Sequence, residues 1–115
     1  MDDLVGRDFV VVEWRDPGGT GWIAPMHVHH EDDEAWYVLE GTLRFRLGER
    51  ELDVPAGDGV LAPRGTPHSF GNFSMDPARY LLVMTPRIRR LVDELHAGPG
   101  DIAELFRRHA SELLV

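Results

Sequence analysis

Gly21-Trp22-Ile23-Ala24-Pro25-Met26-His27-Val28-His29-His30-Glu31-Asp32-Asp33-Glu34 places His27, His29 and Glu34, three side chains able to ligate a metal, within eight residues. If residues 23–29 form a β-strand, positions two apart share a face, so His27 and His29 look one way and Val28 the other. His30 then points away from that face and is set aside as a ligand. Glu34 is expected to arrive from a neighbouring strand. Two imidazoles facing a carboxylate suit a single first-row divalent ion: iron, manganese, nickel, copper or zinc.

The second half of the chain offers a fourth ligand. His68 sits in Pro63-Arg64-Gly65-Thr66-Pro67-His68-Ser69-Phe70-Gly71-Asn72, where Pro and Gly dictate a turn and the residues after it can open a strand. Two spacings then stand out. Gly21, His27, His29, Glu34 and Gly41 follow the order Gly, five residues, His-x-His, four residues, Glu, six residues, Gly; Gly57, Pro63, Gly65, His68 and Asn72 follow Gly, five residues, Pro-x-Gly, two residues, His, three residues, Asn. In both, the chain resembles a cupin. That resemblance implies an all-β fold, the double-stranded β-helix or jelly-roll barrel, with His27, His29, Glu34 and His68 gripping one divalent transition metal ion. Asn72 is expected to hold backbone near the site without ligating. The burial cost agrees: three imidazoles and a carboxylate taken out of water each cost kilocalories unless something compensates them, and one cation compensates all four.

Four protein ligands on an octahedral ion leave two adjacent positions for a substrate or dioxygen, and the ion acts as a Lewis acid. The chain is most similar to small single-domain cupins of the quercetin-dioxygenase-like type. The implied activity is a metal-dependent dioxygenase acting on a small oxygen-rich molecule, with Glu34 doubling as ligand and proton acceptor. Isomerase, cyclase or lyase chemistry at the same ion is the alternative, and a non-catalytic module that holds metal and small molecule is a third.

Length and composition bound these readings. A chain of 115 residues closes one core and has no room for two, so residues 1–115 are read as one domain, with the barrel over about 5–85 and a helical segment over 86–115. The formal charge of −8 argues against nucleic acid and anionic membrane, both of which are held by cations. All twelve basic residues are Arg, so Lys Schiff-base chemistry is excluded, and the absence of Cys excludes disulfides, thiolate nucleophiles and sulfur ligands. Met1-Asp2-Asp3 is acidic where a secretory leader would be basic, which makes the cytoplasm the expected compartment.

Phe9 to Trp14 reads as a strand apolar on both faces, to be covered inside the barrel or by a second subunit; a homodimer is expected. By parity Ile23, Pro25, Trp36 and Val38 share the faces of the ligands. With Phe45 and Phe70 from later strands, they are expected to wall a substrate pocket, Trp36 as its flat surface. Short strands follow to Thr85. The period then changes to about 3.6. Thr85-Pro86 opens a helix whose apolar face is Ile88, Leu91, Val92 and Leu95. Asp101, with Glu104 as a capping box, opens a second, carrying Ile102, Leu105, Phe106, His109 and Leu113. These helices are expected to pack outside the sheet or on a partner, a lid over the barrel mouth being the alternative. His96 and His109 are expected at surface or interface positions, and Arg87, Arg89 and Arg90 are expected to be solvated rather than to bind an anionic substrate.

Overall fold

The computed structural model describes residues 1–114. Among the described residues, ten strands form two antiparallel sheets facing each other. The first, in order β1-β2-β9-β4-β7, contains Leu4–Val5, Val10–Asp16, Ala78–Met84, Glu34–Glu40 and Gly59–Ala62; the second, in order β10-β3-β8-β5-β6, contains Ser111–Leu113, Gly21–His29, His68–Asn72, Thr42–Leu47 and Arg50–Pro55. With its cross-sheet connections this is the double-stranded β-helix expected of the chain. Alternation builds it. Trp36 and Val38 on β4, Leu43 and Phe45 on β5, and Tyr80, Leu82 and Met84 on β9 are buried between the sheets, while Tyr37 on β4 and Thr42 and Arg46 on β5 face out. Trp36 meets Phe45 and Phe70, and Phe70 meets Tyr80, edge-on or tilted with ring centroids 5.2 to 5.6 Å apart, while Phe45 and Phe70 stack at 5.7 Å.

Strand β2 alternates more than its sequence suggests. Val10 and Val12 are buried, but Val11 is half-covered and Phe9 is 57% exposed. The outer row Leu4, Val11, Val83, Ala35 and Leu61, made of direct cross-strand partners, crosses the whole first sheet and is apolar throughout.

Between β3 and β8 the ladder is irregular: Trp22 faces Gly71, Ala24 faces Phe70 and His27 faces His68, so β3 carries extra residues on either side of Ala24. The strands lie so close at Gly71 that a Cβ there would collide with the Gly21 carbonyl and come within 2.8 Å of Trp22 Cα. Asn72, fully buried, donates to Asp16 Oδ2 and the Asp76 carbonyl and accepts from Ser74 N, so it holds backbone without ligating, as expected, but at the opposite end of β8 from His68 and not next to the cluster.

The C-terminal segment departs from expectation. Helix α1, Pro86–His96, starts as read, with Thr85 accepting from Ile88 N at 3.2 Å. Helix α2, Ile102–Arg108, is capped by Asp101, but the Glu104 carboxylate turns to Arg107 at 2.9 Å instead of closing a capping box. Leu113 is not on this helix: Ala110, at φ 53°, turns the chain and Ser111–Leu113 returns as β10, antiparallel to β3. The 3.6-residue period continues through His109 by coincidence of residue type, and pairing with the β3 edge overrides it. His109 is also buried, not at the surface; its ring donates to the Leu105 carbonyl and contacts Glu94 of α1 at 3.0 Å.

Candidate metal centre

His27 and His29 stand at the end of β3, His68 directly opposite His27 on β8, and Glu34 at the first position of β4. Strand β4 lies in the facing sheet, not beside β3, so Glu34 reaches the histidines across the interior. One ligand atom from each of the four residues lies within 4.8 Å of the others, and the side chains are 2% to 6% exposed. Ligands held about 2.1 Å from one ion sit about 3 Å apart when adjacent and about 4.2 Å apart when opposite, so the cluster fits a single metal site.

The hydrogen bonds fix which nitrogen faces inward. His27 Nδ1–H donates to the Pro25 carbonyl at 2.6 Å and His68 Nδ1–H to the Thr66 carbonyl at 2.9 Å. Ser111 Oγ already donates to the His109 carbonyl, so His29 Nδ1–H donates to Ser111 Oγ at 2.6 Å. With Nδ1 protonated in all three rings, the Nε2 lone pairs are turned to the common centre. Glu34 Oε1 meets two of them, at 3.1 Å from His29 and 3.2 Å from His68. A lone pair facing a carboxylate is attractive only when something positive lies between, a proton or a metal ion.

Electrostatics keep the donors ready. Burial above all, with neighbouring His68, lowers the His27 pKa to about 4, so its ring is neutral at ordinary pH. Burial, the largest influence, raises the Glu34 pKa, but with no ion between them a proton carried on Nε2 of His29 or His68 turns each contact into a hydrogen bond to the carboxylate, and together these outweigh burial and bring the carboxyl down to about 2. His30 points outward, half exposed, 3.5 Å from Glu112. The loop between His29 and Glu34 is fastened to the turn before His68: Gly65 N donates to the His29 carbonyl, and Asp33 accepts from Arg64 N and Nε. Buried Asp32 contacts Arg87 at 3.6 Å, joining that loop to α1; Arg89 pairs with Asp3 and Asp93, so these two are engaged in ion pairs, while Arg90 is exposed as expected.

A cavity of about 480 Å³ opens beside the cluster, lined by His27, His29, Glu34, Ile23, Ala24, Pro25, Trp36, Phe70, Tyr80 and Leu82 from the barrel. Three consecutive β3 residues line it because the bulges break strict alternation there. Val38 and Phe45, expected in this wall, lie in the core beneath it and take no part in it. The far side is Ile88, Leu91, Val92 and Leu95 of α1 and Phe106 of α2, so the helices roof the barrel mouth instead of packing outside the sheet. The His27 and Phe106 rings are 5.5 Å apart, and exposed His96 stacks on Trp14 at the rim, 5.0 Å and 13° from parallel. Ser111, Phe106 and Tyr80 escape the sequence reading. Only Tyr80 leaves a signal, its parity with Leu82 on β9.

A family model described as a cupin domain, Cupin_2, matches residues 14–84. Quercetin 2,3-dioxygenase of Bacillus subtilis is 46% identical over 54 residues, 46% of this chain and 16% of that protein. The chain spans less than half the length of each curated relative it matches. Among solved structures, TT1209 from Thermus thermophilus superposes with a TM-score of 0.64 at 31% identity, over 72% of this chain and 77% of that one. A sugar phosphate isomerase of the cupin superfamily, SPO2919 from Silicibacter pomeroyi, superposes with a TM-score of 0.61 at 32% identity, over 68% and 50%.

Proposed function

Because the chain belongs to the cupin family, we propose that it is a metal-dependent dioxygenase for a small molecule that carries neighbouring oxygens on a flat apolar body. The observation that carries this reading is the contrast inside the cavity, where one His/Glu cluster faces walls of Trp36, Phe70, Leu82, Leu91 and Phe106. Among the described residues, Arg15 is the only Lys or Arg that lines it. A sugar phosphate would find little to hold its charge there, whereas an aromatic or enolic ligand would bury apolar area at roughly 25 cal/mol per Å².

His27, His29, Glu34 and His68 would hold one divalent transition metal ion, which supplies Lewis acidity toward the substrate oxygens and, with a redox-active metal, a route for electrons to dioxygen. The residues do the rest. Glu34 is ionised, and because burial alone raises its pKa, losing one histidine contact makes it a stronger base, able to take a proton from a substrate hydroxyl at Oε1. The Tyr80 phenol lines the same cavity and bonds to no described residue; burial, reinforced by the charges of Asp16 and Glu34, raises its pKa, so it keeps its proton and can donate to a substrate oxygen. The helical roof limits water.

Oxygen uptake by iron-, nickel- and copper-loaded protein with flavonols, diketones and catechols tests the reading. Consumption with at least one class is expected; silence throughout overturns it. Conversion without oxygen, in a zinc-loaded protein, would move the assignment to isomerase, cyclase or lyase chemistry, which the structural likeness to SPO2919 favours. The apolar row on the first sheet supports a homodimer as the working form.

A further inference from the structure

We propose that Ser111 is a positioning residue of the metal centre, so that occupation of the site and docking of the C-terminal segment are one coupled equilibrium. This rests on the metal-binding reading of His27, His29, Glu34 and His68 and goes beyond it, because it assigns the state of the centre to an element outside the two motifs.

The geometry is specific. Strand β10 pairs with the strand that carries two of the four cluster residues, and Ser111 is the cross-strand partner of His29. His30 N donates to the Ala110 carbonyl and Leu114 N to the Met26 carbonyl, so the bonded pairs flank the Ser111–His29 pair. Ser111 and His29 therefore form the non-hydrogen-bonded kind of pair, in which side chains approach most closely. Their contact is 2.6 Å, with Ser111 2% exposed and His29 3% exposed. The hydroxyl cannot reverse its role, because its proton is committed to the His109 carbonyl at 3.0 Å. It holds His29 as the Nδ1–H tautomer and aims Nε2 at the cluster.

His27 and His68 obtain the same service from carbonyls two residues away in their own strands or turns. His29 alone depends on a residue 82 positions distant. The supporting carbonyl belongs to His109, whose ring is anchored to Leu105 of α2 and Glu94 of α1. Roof, tail and His29 are thus joined by direct contacts. Linkage follows: if docking raises metal affinity by some factor, metal raises docking by the same factor.

The test measures zinc affinity by competition with a chromophoric chelator, and amide hydrogen exchange in residues 111–114 with and without zinc, on the full chain. Ser111→Ala is expected to weaken zinc binding about 10- to 100-fold. Glu112→Ala, on the exposed face of the same strand, should leave it unchanged. In the native chain, zinc should slow exchange at the β10 amides. Native-like affinity in Ser111→Ala, equal losses in both variants, or exchange indifferent to zinc would each overturn the proposal. The exchange measurement stands even if Ser111→Ala fails to fold. A native chain with no zinc affinity would instead remove the metal-site reading underneath.

Discussion

His27 and Glu34 set how the metal-free protein responds to acid. The folded His27 pKa, about 4, lies below its ordinary 6.5, so between those values the unfolded chain binds a proton that the folded chain refuses. Stability should therefore be complete above pH 6.5 and fall as pH drops toward 4. Glu34, lowered from 4.5 to about 2, adds a contribution that is present above 4.5 and lost below it. Thermal melts of chelator-treated protein across this range should show the decline, and His27→Gln should flatten its upper part. Metal content separates the neighbouring histidines: His29→Ala should lose most of the ion, and outward-facing His30→Ala should keep it, as measured by elemental analysis. At this scale the cluster residues were legible because their order and spacing are local properties of two short segments. Ser111 and Phe106 are not, because Ser111 reaches His29 by the return of the chain along β3 and Phe106 reaches His27 by the helices folding over the barrel mouth, neither of which local spacing records. Val38 and Phe45 fall outside the cavity because parity says which face a residue takes and not how far along the barrel the cavity reaches.

Gly71 shows what the elements must satisfy together. Strands β3 and β8 approach so closely there that only a residue without Cβ fits, and the pair His27–His68 lies a few residues along the same ladder. Gly71→Ala should cost about 1 to 3 kcal/mol by forcing the strands apart. It should also weaken metal binding by displacing His68, which urea denaturation and a zinc titration would show. The strands themselves were readable from alternation and turn residues, down to the Thr85-Pro86 helix start. The bulges around Ala24 were not, since they follow from this close approach. The end of α2 departs from the sequence pattern for a related reason: Leu113 suits a helix face as well as a strand, and only the open edge of β3 decides between them.

For the molecule as a whole, the outer row Leu4, Val11, Val83, Ala35 and Leu61 remains to be covered. A second copy is the proposed occupant, since one continuous apolar row can pair with itself across a twofold axis. Light scattering should return about twice the 13.0 kDa chain mass, and Val83→Arg, at the centre of the row, should return it to one chain.

The placement of Glu34 opposite its three histidine partners has a mechanical consequence. An ion seated among them would act as a rivet between the two walls of the barrel, fastened at the end the helices roof. Removing it would leave a seam held there by Glu34's contacts with His29 and His68, so stripped protein should breathe at that end while the far end, packed around Phe45 and Val54, stays shut.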